Sequence, residues 1–385
     1  GRRAYLSLAH DTALRLLRTG LALLPALRWS SCYELTRDLT RAAIEAGTRA
    51  ADGSAGPRYW QQRADYVISA RVDPRARLVT ASETIRYTNN SPDDLPVLVL
   101  NIAQNFHAEG AVRMEQAEVT GGVEIDRVTL GGSELGMSTG QTPGWMVDGT
   151  LMLVALPRPL RSGGTVELGV DWSFAVPQAG ASGRMGWSGE ELVYLAYWFP
   201  QMAVYDDVYG WHAEPFRGNA EFYSDFGSYD LTVDVPTGWL VMGTGALANP
   251  EEVLAPDVIA RLRQAESSDR IVRVVDHDGA AAATLPGAGG RLRWRFVSER
   301  VRDVAFAVMR EYAWDAARTP VGDRDGDGTR DYARVDGFWR SSARYWDDAA
   351  RYAQHSIDFL SRWTGQPYPW PHMSVVEGGG IIGGG

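Results

Sequence analysis

The chain has 385 residues, and its composition excludes several classes of protein. A formal net charge of −10 argues against nucleic acid as a partner, because phosphate binding needs a basic face. With 45% hydrophobic residues and a single cysteine, Cys32, the chain can build apolar cores but no internal disulfide. No apolar run approaches the roughly 18 residues of a membrane-spanning helix, and the length suits two or three domains.

Residues 1–59 differ from the rest of the chain and are interpreted as a leader followed by a linker. Arginines precede a short apolar segment at 21–27, as in a secretory signal, although Asp11 interrupts the basic part. A signal or membrane anchor and an ordinary amphipathic helix both fit this pattern. Residues 51–57, rich in Gly, Ser and Ala, are typical of a linker.

Residues 60–318 predict a β-rich domain. Strands are expected at 66–72 and 78–87, on either side of a turn. The segment 229–236 alternates strictly between apolar and polar residues, which predicts a one-sided strand of the antiparallel type. Turn residues recur at short intervals, as in a sandwich or an open sheet, and 251–265 predicts a helix between strands.

The hydrophobic period changes after about residue 340. Apolar residues at helical spacing between 345 and 363 predict an amphipathic helix, which Gly365 and Pro367 should end. A short strand is expected at 373–376. A helix and a strand after an all-β block indicate that an α/β domain begins within 319–385.

An acidic loop at 323–331 is the most self-contained chemical motif. Its alternating carboxylates can converge on one hard cation, and its glycines permit the sharp turn, as in EF-hand-like and dockerin-like calcium loops. Arg334 stands where such loops carry a bidentate glutamate, and Asp336 is the residue that could substitute for it. A solvated loop joining the two domains is the alternative. The predicted Ca²⁺ ligands are Asp323, Asp325, Asp327, Thr329 (through its carbonyl) and Asp331.

The histidines do not form a zinc site. No two of the six lie at the i, i+4 spacing that places two imidazoles on one helix face, and the 385 residues contain no H-E-x-x-H sequence. His107 and His212 each lack a second ligand at a useful spacing, so both are interpreted as structural.

Several segments together resemble one family, the gluzincin zinc metallopeptidases typified by aminopeptidase N and leukotriene-A hydrolase. Residues 363–371 resemble that family's F-G-x-P-Y-P-x-P stretch, and 373–377 resembles the strand that leads to its exopeptidase motif, G-[AG]-M-E-[NY]. Gly384 and Gly385 would be the first two residues of that motif. Upstream, 197–207 and 222–236 resemble bacterial members with an N-terminal saddle-like domain.

The resemblance implies a fold class and an activity. The fold would be a mainly β, saddle-like or sandwich N-terminal domain, followed by the start of a thermolysin-like α/β catalytic domain. In that family two histidines and a glutamate bind zinc, which activates water to remove N-terminal residues from peptides. The chain is therefore interpreted as a portion of a zinc metallo-aminopeptidase, truncated before the zinc motif and inactive alone. A non-catalytic, calcium-binding β-sandwich scaffold or interaction module is the alternative.

The resemblance also implies substrate-binding residues. Gly383, Gly384 and Gly385 would offer backbone groups to an extended peptide, as in strand addition. Gln201 follows the Phe-Pro stretch, in the region whose loops approach the first substrate pocket. A frayed terminus and an ordinary structural glutamine are the respective alternatives. We expect a secreted or periplasmic location, with or without a membrane anchor, while the sequence carries no signal for oligomeric state.

Overall fold

The computed structural model describes residues 33–138, 142–180, 184–218 and 223–379. The predicted signal within 1–32 and the three glycines at 383–385 lie outside the described residues. None of the described helices is long and apolar enough to cross a membrane.

The described residues form a mostly β structure with a few helices. The helices are α1 (Tyr33–Glu45), α2 (Pro250–Val253), α3 (Pro256–Glu266), α4 (Ala280–Ala283) and α5 (Ala349–Thr364). The strands are β1 (Arg63–Asp73), β2 (Leu78–Thr88), β3 (Leu95–Asn101), β4 (Val123–Leu130), β5 (Ser133–Glu134), β6 (Gly144–Asp148), β7 (Leu151–Leu160), β8 (Thr165–Ala175), β9 (Met185–Ser188), β10 (Leu192–Leu195), β11 (Gln201–Met202), β12 (Tyr205–Asp206), β13 (Gly210–Trp211), β14 (Gly227–Pro236), β15 (Leu240–Gly243), β16 (Ala246–Leu247), β17 (Val272–Val275), β18 (Arg291–Val301), β19 (Phe306–Met309), β20 (Tyr312–Gly322), β21 (Asp331–Arg340) and β22 (His372–Val376).

An eight-stranded sheet, in the order β16-β18-β14-β1-β2-β8-β4-β5, dominates the β domain. Two four-stranded sheets, β15-β19-β10-β9 and β11-β3-β7-β6, contribute to the same hydrophobic core as its inner face. Trp172 and Trp198 are fully buried there, and the Trp198 indole donates to the Val304 carbonyl at 3.0 Å. The core of the β domain is therefore closed by aromatic packing between sheets.

The predicted β1–β2 hairpin is confirmed. Residues of β2 alternate between exposed and buried along almost its whole length, as a half-buried strand requires. The connecting turn is fixed by Asp73, whose carboxylate accepts from the backbone amides of Arg75 and Ala76, both at 3.0 Å. Asp73 thus makes the local side-chain hydrogen bonds that favour aspartate in turns.

The antiparallel interpretation of residues 229–236 is only half right. In β14 the predicted apolar face is buried, and the strand runs antiparallel to β18. On its other side it runs parallel to β1, with Tyr66 opposite Tyr229. The alternation therefore reported which face is buried, and it carried no information about the direction of the neighbouring strand.

The predicted helices form with shifted bounds. The helix expected at 251–265 is broken into α2 and α3, because Leu254 and Ala255 adopt extended conformations before Pro256. The helix expected from 345 begins at Ala349, after Tyr345 takes a left-handed φ of 73°. Its predicted end is confirmed, with Gly365 in the left-handed conformation at φ 68°.

Residues 51–57 are part of a folded turn rather than an extended linker. The backbones of Arg49 and Ala55 form an isolated antiparallel β-bridge, and the Gly56 amide donates to the Thr48 carbonyl at 3.0 Å. Arg49 also donates two hydrogen bonds, at 2.6 and 2.9 Å, to the fully buried carboxylate of Asp207. This ion pair holds the turn against the β domain.

The last elements form a separate four-stranded sheet, β17-β20-β21-β22, called here the terminal sheet. β22 confirms the predicted strand and runs parallel to β21, while the inner face of α5 packs on β20. The opposite face of α5 is unpacked, and Trp363 there is 74% exposed. The domain boundary predicted at 318/319 falls inside β20. The terminal sheet also includes β17, which lies within the first predicted domain. A complete catalytic α/β domain stays a prediction.

Candidate functional site

A cleft of about 930 Å³ lies where the terminal sheet meets the β domain. Turns at the ends of β1, β9, β14 and β19 line it on the side of the β domain, and residues after β17 and β21 line it on the side of the terminal sheet. Glu191, Trp239, Arg310 and Arg340 are among its lining residues. The cleft is therefore bounded by both parts of the molecule.

Arg340 and Glu377 form the central contact beside this cleft. Arg340 is the last residue of β21, and Glu377 directly follows the parallel strand β22, so the two side chains meet at one edge of the sheet. The guanidinium binds the carboxylate in a bidentate manner, with Nε–Oε2 at 2.7 Å and Nη2–Oε1 at 3.0 Å. This planar, two-bond geometry is the strong form of an ion pair.

Arg340 also reaches into the β domain. Its Nη1 donates to Glu191 Oε1 at 2.8 Å and to Ser188 Oγ at 3.2 Å. Ser188 ends β9 and Glu191 lies in the turn before β10, so one guanidinium joins two sheets. The side chain is only 14% exposed, which protects these bonds from water.

Glu377 is held ionised. Burial alone would raise its pKa, but the hydrogen bonds from Arg340 and from the Gly379 amide outweigh burial and lower it. The Tyr312 hydroxyl donates to the Glu377 carbonyl at 2.9 Å, while burial raises the pKa of Tyr312 and keeps that hydroxyl protonated. The backbone and the side chain of Glu377 are thus both fixed.

Gly379 passes directly against this contact. Its φ is +66°, a conformation that glycine adopts without strain. A Cβ at this position would collide with Arg340 and Ser188. The chain can therefore turn away from β22 only because residue 379 has no side chain.

Two of the residues that line the cleft, Arg310 and His277, each have a buried nitrogen atom without a hydrogen-bond partner among the described residues. Arg310 lies over the ring of Trp239, 5.2 Å from its centroid, and donates to Glu190 at 3.2 Å. Its Nε is buried and has no hydrogen-bond partner among the described residues, and the same holds for Nδ1 of His277. Both nitrogen atoms are buried within the protein, so neither faces the open space of the cleft.

Gln201, the one predicted substrate residue that the structure describes, does not line this cleft. Gln201 is buried in β11, where its amide donates to the Arg302 carbonyl at 2.6 Å and lies 3.5 Å from the Tyr229 hydroxyl. These are the contacts of the structural alternative. Gly383, Gly384 and Gly385 lie outside the described residues, so their role stays a prediction.

The acidic loop is an exposed connection between β20 and β21. Carboxylate oxygens of Asp323, Asp325 and Asp327 lie within 4.8 Å of one another. They also bind the loop's own amides: Asp323 accepts from Gly326 at 2.7 Å and from Gly328 at 2.9 Å. These contacts are compatible with a solvated loop, and the calcium site stays a prediction.

Two further predicted ligands of the loop have other contacts. Asp331 accepts from the Arg324 amide at 2.8 Å, and Thr329 donates its amide and hydroxyl to Asp327, both at 2.7 Å. Asp336, considered as a substitute ligand, is fully buried within β21. It cannot serve the loop, because its carboxylate is already bonded inside the sheet.

Asp336 belongs to a buried polar cluster that the sequence did not indicate. It accepts from Trp314 Nε1 at 2.7 Å, Arg334 Nε at 2.9 Å and His372 Nε2 at 2.5 Å. Burial would raise its pKa, but the charges of Arg334 and His372 and these hydrogen bonds lower it to about 2. Trp314 and His372 are far from Asp336 in sequence, so periodicity could not have found them.

His212 also has a partner that the sequence analysis overlooked. Its Nε2 lies 2.7 Å from Asp206 Oδ2, and Glu214 approaches its other ring nitrogen at 4.0 Å. Burial first, and then the negative charge of Asp206, raise the pKa of the neighbouring Asp225 to about 6. By contrast, His107 is buried and bonded to the Glu118 carbonyl at 2.8 Å, which fits its structural interpretation.

Comparison with protein-family models and with curated proteins finds no match. Among solved structures, the chain is similar to an M1 zinc metallopeptidase from Deinococcus radiodurans, at 16% identity and a TM-score of 0.44. It is equally similar to a mutant of that enzyme bound to a Tyr-Ser-Ala substrate, at 16% and 0.43, and to a two-domain M1 zinc metallopeptidase mutant bound to L-tryptophan, at 14% and 0.45. Each alignment covers 82% of this chain and 55–56% of the other.

The chain thus spans little more than half the length of these structures. At TM-scores of 0.43–0.45 the likeness carries no weight in the argument for function.

Proposed function

We propose that this chain is the β domain and the first part of the catalytic domain of a zinc aminopeptidase. The cleft beside β22 would receive the N-terminal part of a peptide. The 385 residues contain no H-E-x-x-H, so zinc would be bound by residues outside them. When bound, the metal would lower the pKa of a water molecule that attacks the peptide bond.

One observation carries the proposal. The segment 363–377, which resembles the approach to the family's exopeptidase motif, ends at Glu377, which is bound by Arg340, a lining residue of the cleft between the β domain and the terminal sheet. Glu377 and Gly379 are fixed there by Arg340 and Ser188. The cleft is large enough for a small ligand or a few residues of peptide.

The coding sequence after residue 385 provides the first test. The proposal expects Met-Glu directly after Gly385, then H-E-x-x-H and a further Glu downstream as the third zinc ligand. A continuation without these residues would refute the aminopeptidase proposal. The 385-residue chain itself should not hydrolyse an aminoacyl anilide when Zn²⁺ is added, and measurable turnover would contradict the assignment of zinc to later sequence.

The second candidate is a non-catalytic scaffold that binds calcium at the acidic loop. The proximity of three carboxylates within 4.8 Å is the observation that favours it. The two candidates differ in what they need from the chain: the scaffold would require calcium and no zinc motif. An export pathway would suit either one, since weak calcium loops belong to extracellular settings.

A further inference from the structure

We infer that the outward face of α5 is an interface between two copies of this chain, which associate antiparallel about a two-fold axis beside His355. The apolar residues of this face, together with one residue just before the helix, are called here the outer stripe. They are Tyr345, Tyr352, Phe359, Leu360 and Trp363. The inference concerns the 385-residue chain and does not depend on the proposed function.

The first support is that α5 carries apolar residues on two opposite faces. Ala353 and Ile357 belong to its inner face, which is buried and packs on β20. Tyr352, Phe359 and Trp363 follow one another at spacings of seven and four residues, which place them together on the other side of the helix. A helix that covers a sheet needs one apolar face for that contact, so the outer stripe has another cause.

The rings of the outer stripe are exposed and stacked on one another. Trp363 is 74% exposed, Tyr352 57% and Phe359 47%. Phe359 stacks on Trp363 with the ring planes 11° apart and the centroids 6.5 Å apart, and on His355 at 5.9 Å. Because stacked rings already have a fixed arrangement, little side-chain entropy would be lost when a second surface covers them.

The area of the outer stripe fits a weak dimer. A fully covered aromatic side chain buries about 150–250 Å², so four rings that are half to four-fifths exposed offer roughly 400–650 Å² in each copy. Two copies would together bury about 800–1,300 Å², which is close to the minimum of about 1,000 Å² for a specific interface. Contiguous apolar patches of this size mark interaction sites on soluble proteins.

The charges beside the outer stripe are complementary to themselves. One edge of α5 carries two ion pairs, Arg351 with Asp348 at 2.9 Å and Arg362 with Asp358 at 2.6 Å. A two-fold axis beside His355 places this edge against the same edge of the second copy, and residues equally far before and after position 355 become level. Asp348 is then level with Arg362, and Arg351 lies within about 1.5 Å of the level of Asp358. Each of these charges would therefore meet an opposite charge of the second copy.

The same axis also brings the rings together. Phe359 lies four residues after His355 and Tyr352 three before it, so each Phe359 comes within about 1.5 Å of the level of Tyr352 in the second copy. Trp363 faces the start of the second helix, where Tyr345 is 80% exposed. Aromatic pairs stabilise such contacts beyond the area that they bury. A single axis thus pairs both the rings and the charges.

Sedimentation velocity of the 385-residue chain tests the inference. A reversible equilibrium between monomer and dimer is expected, with a Kd of about 10 µM for an interface of this size. Trp363→Ser should raise Kd at least about tenfold, because a large aromatic side chain is the typical dominant contact of an interface. The matched control is Met137→Ser. Met137 is equally exposed, at 74%, but lies between β5 and β6, so its replacement should leave Kd unchanged.

A charge exchange tests the register. Arg351→Glu would place a carboxylate near Asp358 of the second copy at two symmetry-related positions, so Kd should rise about tenfold. Adding Asp358→Arg restores opposite charges and should return Kd to within about threefold of the unaltered chain. All of these side chains are on the surface of the helix, so the variants should keep the Tm of the unaltered chain. If Trp363→Ser does not fold, Phe359→Ser takes its place.

Four results would overturn the inference. They are a chain that stays monomeric at about 100 µM, tenfold above the expected Kd, a dimer that Trp363→Ser leaves unchanged, a double variant that dimerises no better than Arg351→Glu, and assembly beyond the dimer. The last would contradict it because a two-fold contact is closed. A monomer would assign the outer stripe to a further segment of the protein or to a different partner.

Discussion

Two buried carboxyl groups, one in each part of the molecule, have opposite environments. Asp336 in the terminal sheet is 0% exposed and accepts hydrogen bonds from three side chains. Glu83 in the eight-stranded sheet is 4% exposed, and neither of its carboxylate oxygens has a hydrogen-bond partner among the described residues. Burial is nearly equal for the two, so the partners decide the charge.

The pKa values follow this difference. Burial raises the pKa of Glu83 well above its usual range, which keeps the carboxyl neutral. For Asp336 burial acts in the same direction, but Arg334 and His372 lower its pKa to about 2. The eight-stranded sheet therefore contains a neutral acid in an apolar core, while the terminal sheet is built around buried charge. Removal of partner side chains should therefore change stability only at Asp336, because Glu83 has no hydrogen-bond partner among the described residues.

The largest expected effect is the loss of Asp336. Asp336→Ala would leave Arg334, His372 and the Trp314 indole buried without their acceptor, so we expect the free energy of unfolding to fall by about 3–5 kcal/mol. Urea denaturation measures this change. The matched control is Asp358→Ala, which removes an i, i+4 pair on the surface of α5 and should cost less than about 0.5 kcal/mol. Equal losses in the two variants would contradict the comparison.

The unaltered protein and the variant Asp336→Asn should differ in how their free energy of unfolding depends on pH. Because the folded pKa of Asp336 lies below the unfolded value, its stabilisation is complete above about pH 4 and is lost as the pH falls towards about 2. The free energy of unfolding of the unaltered protein should therefore decline over this range. In Asp336→Asn the decline should be smaller, and an identical slope in both proteins would show that Asp336 is not ionised in the folded state.

Replacing Glu83 should have the opposite sign. Its folded pKa is raised, so its carboxyl favours the folded state below the unfolded pKa of about 4.3, and stability is lost as the pH rises above that value. Glu83→Gln has no carboxyl to protonate on folding, so it removes this loss and should be more stable than the unaltered protein at pH 7 by at least about 1 kcal/mol, since one unit of pKa shift corresponds to about 1.4 kcal/mol. At pH 4 the two proteins should melt at nearly the same temperature. A destabilised variant at pH 7 would indicate that Glu83 has a partner.

The acidic loop is expected to have the smallest effect. If it holds calcium, a Kd of about 1 mM and 10 mM Ca²⁺ would add about 1.4 kcal/mol to the free energy of unfolding. Asp325→Ala should abolish the rise in Tm, and Mg²⁺ at the same concentration should not reproduce it. An unchanged Tm in Ca²⁺ would favour the solvated loop, whose carboxylates already bind the loop's own amides.

The sequence predicted what depends on neighbours along the chain. The β1–β2 hairpin follows from alternation and from Asp73, and the end of α5 follows from Gly365, whose left-handed φ ends a helix. Both features involve only a few consecutive residues. The clustering of carboxylates in the acidic loop is also a local feature, since Asp323, Asp325 and Asp327 alternate along the chain and their carboxylates do lie close together.

The polar contacts of the terminal sheet could not be predicted from local sequence patterns. Arg340 lies 37 residues from Glu377 and 149 from Glu191, and no periodic pattern links such distant residues. The parallel pairing of β14 with β1 was missed for the same reason, because alternation reports burial and not direction. Side-chain pairs across sheets depend on the tertiary fold, which brings the strand ends together.

The most direct test of the central claim is aminopeptidase activity in a polypeptide that carries this chain together with the proposed zinc motif. The protein would be stripped of metal with a chelator, and release of free amino acid from the N-terminus of a tripeptide would be followed by mass spectrometry. The account predicts no release without metal and full recovery with one equivalent of Zn²⁺, as a single catalytic zinc requires. Cleavage that is independent of zinc, or no cleavage with zinc restored, would contradict it.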